Sequence, residues 1–156
     1  KYGGINEAGL LFSRNDGGFD GAVPGGILDP TDATKNTLHP DLLSRVPSIN
    51  LVGGLKATDP ASTPVAFSRG LTTAGTWNGS STDANAGTYA DQGGLVLFLG
   101  GNVQYFKTLE NRLIDTQGAT TSDLRRTIRA GGTRRIYGLD GGNNVASADG
   151  TLPTGP

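Results

Sequence analysis

Gly93-Gly94-Leu95-Val96-Leu97-Phe98-Leu99-Gly100-Gly101-Asn102-Val103-Gln104-Tyr105-Phe106 is the one long apolar run in a chain otherwise full of Gly, Thr, Ser, Asn and Asp. Two segments rich in aliphatic, β-branched and aromatic residues flank the Gly100-Gly101 pair. That pattern predicts a β-hairpin, because a two-residue type I′ turn needs positive φ at both central positions and glycine adopts it without steric penalty. With Gly100 and Gly101 as the turn, Phe98 falls opposite Val103 and Val96 opposite Tyr105. One face then carries Val96, Phe98, Val103 and Tyr105. The other carries Leu95, Leu97, Leu99, Gln104 and Phe106. Both faces are largely apolar, so the hairpin calls for cover on both sides, or for cover on one side and a partner on the other.

The rest of the composition bounds the answer. A chain of 156 residues suits one domain with a real core. It holds 26 glycines, well above the usual share of about 7%, which favours turns and irregular loops over helical bundles. A net charge of −1 gives no electrostatic footprint for nucleic acid or an anionic membrane. Cysteine is absent, which removes disulfides and thiol chemistry. No apolar run approaches the roughly 18 residues of a membrane span. The first residue is Lys1, which suggests either removal of a leading segment or a start inside a longer product.

Outward from the hairpin, residues 64–69 predict a strand, with Pro64 marking a strand start or an edge. Residues 49–55 predict a short strand broken by Gly53-Gly54, and 134–137 a last strand. His39-Pro40-Asp41-Leu42-Leu43 reads as a helical turn: proline suits the first turn, Asp41 complements the N-terminal dipole, and Pro47 ends it. Residues 5–14 read as a short helix or strand, and Asn15-Asp16-Gly17-Gly18 as a turn. The 70–87 segment reads as a long surface loop pinned by Trp77. Residues 121–130 predict a helix, capped by Thr120 or Thr121, with Leu124 and Ile128 on one face and Gly131-Gly132 at its end. The predicted fold is α+β, rich in strand and loop: a small antiparallel sheet around the 95–106 hairpin, with short helices. It forms one domain over 1–139, and 140–156 is an extended tail.

Candidate chemistry is sparse. His39 is the only histidine and sits before a proline, where helix capping accounts for it better than catalysis does. The aspartates lie mostly in turns, where their side chains bond the local backbone, so no glycosidase carboxylate pair stands out. Asp29 with Asp32, and Asp140 and Asp149 around Asn143-Asn144, form oxygen-rich loops. Neither has EF-hand spacing, so calcium is the minority reading, solvated turns the main one, and no cofactor is expected. Arg125, Arg126, Arg129, Arg134 and Arg135 cluster without forming a single stripe, which fits a solvated face or subunit contacts. No base–nucleophile set is visible, and an enzyme is not expected.

At the hairpin the chain resembles bacterial prepilin-like proteins of the type IV pilin and pseudopilin group. Their C-terminal motif places a histidine nine residues before Asp-Gly, inside a hairpin of the form Gly-Gly-x-x-x-Leu-Phe-x-Asp-Gly-His-Val-x-Phe. Residues 93–105 follow that shape, and Thr63-Pro64-Val65-Ala66-Phe67-Ser68-Arg69-Gly70-Leu71 with Gly75-Thr76-Trp77 is similar to what precedes it. The likeness covers about residues 60–130. Ala90, Gly100 and Asn102 stand where the motif has His, Asp and His, so only Gly101 and the apolar frame remain.

The resemblance implies a structural subunit of an extracellular, cell-surface filament. In such folds the sheet packs on a long hydrophobic N-terminal helix, which this sequence does not contain. That helix would be removed from the chain or supplied by a separate short polypeptide. Val96, Phe98, Val103 and Tyr105 are the expected packing residues and Gly100 and Gly101 the turn. The expected partners are further copies in a homopolymer or a short hydrophobic-helix subunit, with no nucleic acid and no membrane span in this chain. The alternative is a secreted carbohydrate-binding module stacking sugar on Trp77 and Tyr89, which requires an exposed Trp77.

Overall fold

The computed structural model describes residues 6–19, 21–34, 37–43, 45–79, 86–129 and 135–137. The architecture is strand-rich with little helix. Seven strands are present among these residues: β1 (Ile49–Gly53), β2 (Pro64–Ser68), β3 (Gly94–Phe98), β4 (Val103–Phe106), β5 (Leu113–Ile114), β6 (Thr120–Thr121) and β7 (Arg135–Tyr137). Five form a sheet in the order β4-β3-β2-β1-β7, and β5 with β6 makes a two-stranded ribbon. Every pairing is antiparallel. The one α-helix among the described residues, α1, is a single turn at Pro40–Leu43, and short 3-10 turns occupy Ala8–Leu11, Ala90–Gln92 and Leu124–Thr127. Residues 140–156, read from sequence as a tail, lie outside the described residues, as do Gly131 and Gly132.

The hairpin forms where the apolar run predicts it, but its register differs by one residue. Leu97 pairs with Val103, Val96 with Gln104 and Leu95 with Tyr105. The loop has three residues: Phe98 N–H donates to the Asn102 carbonyl (2.9 Å) and Gly101 N–H to the Phe98 carbonyl (2.8 Å). Gly101 takes φ +87°, while Gly100 is not in the left-handed region. This is a type I turn closed by a G1 bulge, in place of the expected type I′ turn. The cause is tertiary. Leu99 and Gly100 donate their N–H groups to the carbonyls of Thr63 and Ala61, both at 2.8 Å, so the segment leading into β2 holds the loop open by one residue.

That single step turns β4 over. Directly paired residues share a face, and a one-residue slip moves every side chain to the opposite side. Val96 and Phe98 stay on the core side, now with Phe106. Val103 and Tyr105 go to the outer side with Leu95 and Leu97. The expected grouping of Val96, Phe98, Val103 and Tyr105 on one face is therefore corrected.

The core lies against one sheet face. Val52, Phe67, Val96, Phe98, Phe106 and Ile136 project from the sheet, and Leu71, Trp77, Leu109, Leu113, Leu124 and Ile128 close over them. Phe98 and Phe106 meet edge to face, with ring centroids 6.4 Å apart, a favoured aromatic geometry. Trp77 packs so closely on Gly94 that a Cβ there would fall inside the indole, so the second glycine of the Gly93-Gly94 pair gives the ring its seat. Pro64 begins β2 and a bulge follows between Pro64 and Ala66. The strand lies inside the sheet, so the proline marks its start and not an edge.

The helix predicted over 121–130 is not formed. Thr120 and Thr121 pair with Ile114 and Leu113 as β6, and only Leu124–Thr127 turns, as a 3-10 segment. Asp123, not Thr120 or Thr121, caps it by accepting from Arg125 N–H at 3.0 Å. Leu124 and Ile128 are both buried, so the apolar spacing is used without a helix.

Candidate interaction surface

Among the described residues, the outer face of the sheet is apolar and open. One row across it runs Leu51, Ala66, Leu97 and Val103, each paired to the next. Leu95 and Tyr105 form a second pair beside it. Val103 is 57% exposed and Tyr105 56%, and Leu51 and Leu95 are exposed as well. Ala66 and Leu97 are half-buried. Adjacent exposed apolar side chains of this kind mark contact surfaces more often than scattered single ones do. Tyr105 keeps its ring over the sheet by donating its hydroxyl to the Gln92 carbonyl.

Of the four packing residues expected from sequence, the structure divides two from two. Val96 (0% exposed) and Phe98 (7%) are consumed by the chain's own core and cannot receive a partner. Val103 and Tyr105 are free to do so. Leu95, which the sequence places on the hairpin's opposite face, joins them, as does Leu51, which the sequence places in a strand without assigning its side chain to a face. The signal for Leu95 is its alternation with Val96: burial of Val96 in the core turns Leu95 outward, and the register brings Val103 and Tyr105 to its side.

Beneath β4, on the other side of the sheet, an open cleft of about 580 Å³ lies between Gln104 and Phe106 above and Leu113, Ile114 and Arg112 below. It contains no convergent set of acid, base or nucleophile.

The most concentrated polar cluster is structural. Arg69 Nη2 donates to Asp16 Oδ1 at 2.7 Å, and both side chains are 2% exposed. Ser48 Oγ donates to Asp16 Oδ2 (2.6 Å), and Gly18 N–H donates to Oδ1 (3.0 Å). Arg69 also donates to the carbonyls of Ala86 (2.8 Å) and Pro47 (3.1 Å). Thr88 Oγ1 donates to the Ser48 carbonyl at 2.6 Å. The network ties residues 13–18, 46–48 and 86–88 to the end of β2. Its groups are engaged with one another, so it acts as a clamp between segments. Sequence reasoning saw Asp16 only as a turn residue and gave Arg69 no ion-pair partner.

The remaining candidates resolve individually. Trp77 is 4% exposed and offers no face for stacking a sugar. It is held by the Leu71–Trp77 bridge and by Asn78 N–H donating to the Gly70 carbonyl at 2.8 Å, as a pinned loop requires. His39 Nδ1 accepts from Asp41 N–H at 3.2 Å, a capping contact at α1. Asp29 accepts from Thr31 N–H and Oγ1 (2.8 and 2.7 Å), and Asp32 from Thr34 and Thr37. The Thr31 hydroxyl, then its N–H, hold the Asp29 carboxyl below its ordinary 3.8. These carboxylates serve their own turns, and no group of three potential metal ligands converges among the described residues. The Asp140 loop lies outside them. Arg125 pairs with Asp123 at 2.9 Å. Arg134 and the side chain of Arg135 are outside the described residues.

No helix among the described residues is long and apolar enough to cross a membrane. Compared with protein-family models, curated proteins and solved structures, the chain matches none.

Proposed function

We propose that this chain is the globular part of a type IV pilin-like or pseudopilin-like subunit of an extracellular filament. The carrying observation is the outer sheet face, where Leu51 on β1, Leu95 on β3 and Val103 and Tyr105 on β4 lie exposed, with the half-buried Ala66 and Leu97 between them, while the opposite face already holds the core. A sheet with one satisfied face and one open apolar face fits an amphipathic or apolar helix as its second layer. In this reading the helix is supplied in cis by a segment removed from the chain, or in trans by a short second polypeptide. With the helix in place the subunit has the α+β architecture read from the sequence. The resemblance of residues 93–105 to the prepilin hairpin supports the same reading. Its work is assembly and not catalysis, and Val96 and Phe98 contribute only by packing the core on the far side of the docking face.

The test is negative-stain microscopy of native material and of Leu51→Asp and Leu95→Asp variants. A charge at either position sits on the docking face, Leu51 towards its β1 side and Leu95 beside Tyr105, and leaves the core untouched. Loss of filaments with retained circular dichroism supports the reading. Normal filaments from both variants refute it.

A further inference from the structure

We infer that the free edge of β4 is a self-association site, where a second copy of this chain adds its own β4 antiparallel about a twofold axis through Gln104. This goes beyond the filament reading and does not depend on it.

The hydrogen-bond pattern of the hairpin sets the geometry. Phe98 and Asn102 face each other across the ladder, so Val96/Gln104 and Gly94/Phe106 are the next hydrogen-bonded pairs. The main-chain groups of Gln104 and Phe106 therefore point inward, to β3. Those of Val103 and Tyr105 point outward, away from the sheet. β4 is the terminal strand in the order β4-β3-β2-β1-β7, and among the described residues no backbone bond reaches Val103 or Tyr105 from that side.

Protein edges are usually blunted by charge, proline or a covering element. Val103-Gln104-Tyr105-Phe106 has no charge and no proline, and its first three residues are exposed. The nearest charge, Lys107, follows the strand. The cleft under Gln104 and Phe106 leaves space for side chains of an added strand on that side.

The segment is complementary to itself. With Gln104 opposite the Gln104 of the other copy, each Val103 meets a Tyr105 in a hydrogen-bonded pair, and the outward N–H and C=O groups of both are satisfied. Val103 and Tyr105 of both copies then form one apolar row on the outer face, continuous with Leu95 and Leu97. The two Gln104 amides meet on the cleft side and can exchange hydrogen bonds. Lys107 falls opposite Gly101 and meets no like charge. Such an isologous contact closes on itself, so it yields a dimer and not open-ended growth.

Sedimentation velocity over a concentration series tests the inference, using the wild type with Gln104→Lys and Gln104→Glu variants. Residue 104 lies on the twofold axis, so each variant places a like charge against itself, directly opposite across the strands. Wild type is expected to dimerise reversibly, each variant alone to weaken dimerisation severalfold, and their equimolar mixture to recover it as a heterodimer. In this cysteine-free chain, Gln104→Cys should also cross-link far faster than the exposed control Thr58→Cys. A non-hydrogen-bonded antiparallel pair holds its Cα atoms about 4.5 Å apart, within disulfide reach. A wild type that stays monomeric to millimolar concentration overturns the inference. So does a mixture that fails to recover the dimer, or a dimer abolished by Leu51→Asp but indifferent to charge at 104. The last result would place the contact on the sheet face instead.

Discussion

Replacing Asp16 by alanine removes the carboxylate that, among the described residues, faces the buried Arg69 guanidinium. The pair is 2.7 Å apart with both side chains 2% exposed, so solvent cannot take over the lost contact. Breaking a buried pair from one side leaves a charge uncompensated and costs about 3–5 kcal/mol, far more than the 0–1 kcal/mol of an exposed pair. Ser48 Oγ and Gly18 N–H lose their acceptor at the same time. Against a total stability of about 5–15 kcal/mol, the change removes a large fraction. At roughly 2–4 °C per kcal/mol for a chain of this size, Tm should fall by about 6–20 °C. Urea denaturation followed by circular dichroism reads the free energy directly, with unchanged m confirming that the cost lies in the native state. The companion variant Asp16→Ala/Arg69→Met should be less destabilised than the sum of its single changes, because it removes the stranded charge as well as its partner. A loss below about 1 kcal/mol for Asp16→Ala, the value of a surface pair, would refute the clamp.

Three further outcomes follow from the same structure. Phe98→Ala should cost about 3–5 kcal/mol and Val103→Ala less than about 0.5 kcal/mol, because the register buries one and exposes the other; similar costs in thermal melts would restore the two-residue turn. Asn50 is fully buried on the core side with neither side-chain polar atom bonded among the described residues, so Asn50→Leu, which keeps the branching and the heavy-atom count, should raise stability by about 1–3 kcal/mol in urea melts; a loss of stability would show that the amide is satisfied or that the site does not admit the larger methyls. The N–H of Ala119, with those of Gln117 and Gly118, and Arg126 hold the Asp115 carboxyl below its ordinary 3.8. Its folded value is depressed, so its contribution is fully present above 3.8 and is lost as pH falls through the lower folded midpoint; a carboxyl carbon titration centred at or above 3.8 would contradict this.

Local chemistry made much of the sheet legible. The Gly-Gly pair within the apolar run located the hairpin, Pro64 located the start of β2, and Pro40 with Asp41 located α1. The register was not legible, because the carbonyls of Ala61 and Thr63, 39 and 36 residues before the Gly100 and Leu99 that they bind, decide whether the loop takes two residues or three. One step of register then decided the composition of both sheet faces. The same competition removed the helix at 121–130: its first residues found a strand partner in Leu113 and Ile114, and a weak local preference yields to such pairing. Asp16 and Arg69 stand 53 residues apart. An aspartate in Asn-Asp-Gly-Gly carries an ordinary turn signal, and nothing local announces that its second oxygen lies in a buried network. Half of the candidate docking face, Val103 and Tyr105, was named from sequence. Leu95 stood on the opposite hairpin face in the sequence reading and Leu51 on none; that both share a face with Val103 and Tyr105 became visible only when the strands were placed side by side.

The central claim is that the outer sheet face holds a helix within a filament, and a cryo-electron microscopy map of the native filament tests it most directly. The predicted map shows an α-helix packed across Leu51, Leu95, Val103 and Tyr105, with Val96 and Phe98 enclosed on the far side of the sheet. A filament in which that face looks into solvent, or native material consisting only of separate particles, contradicts it.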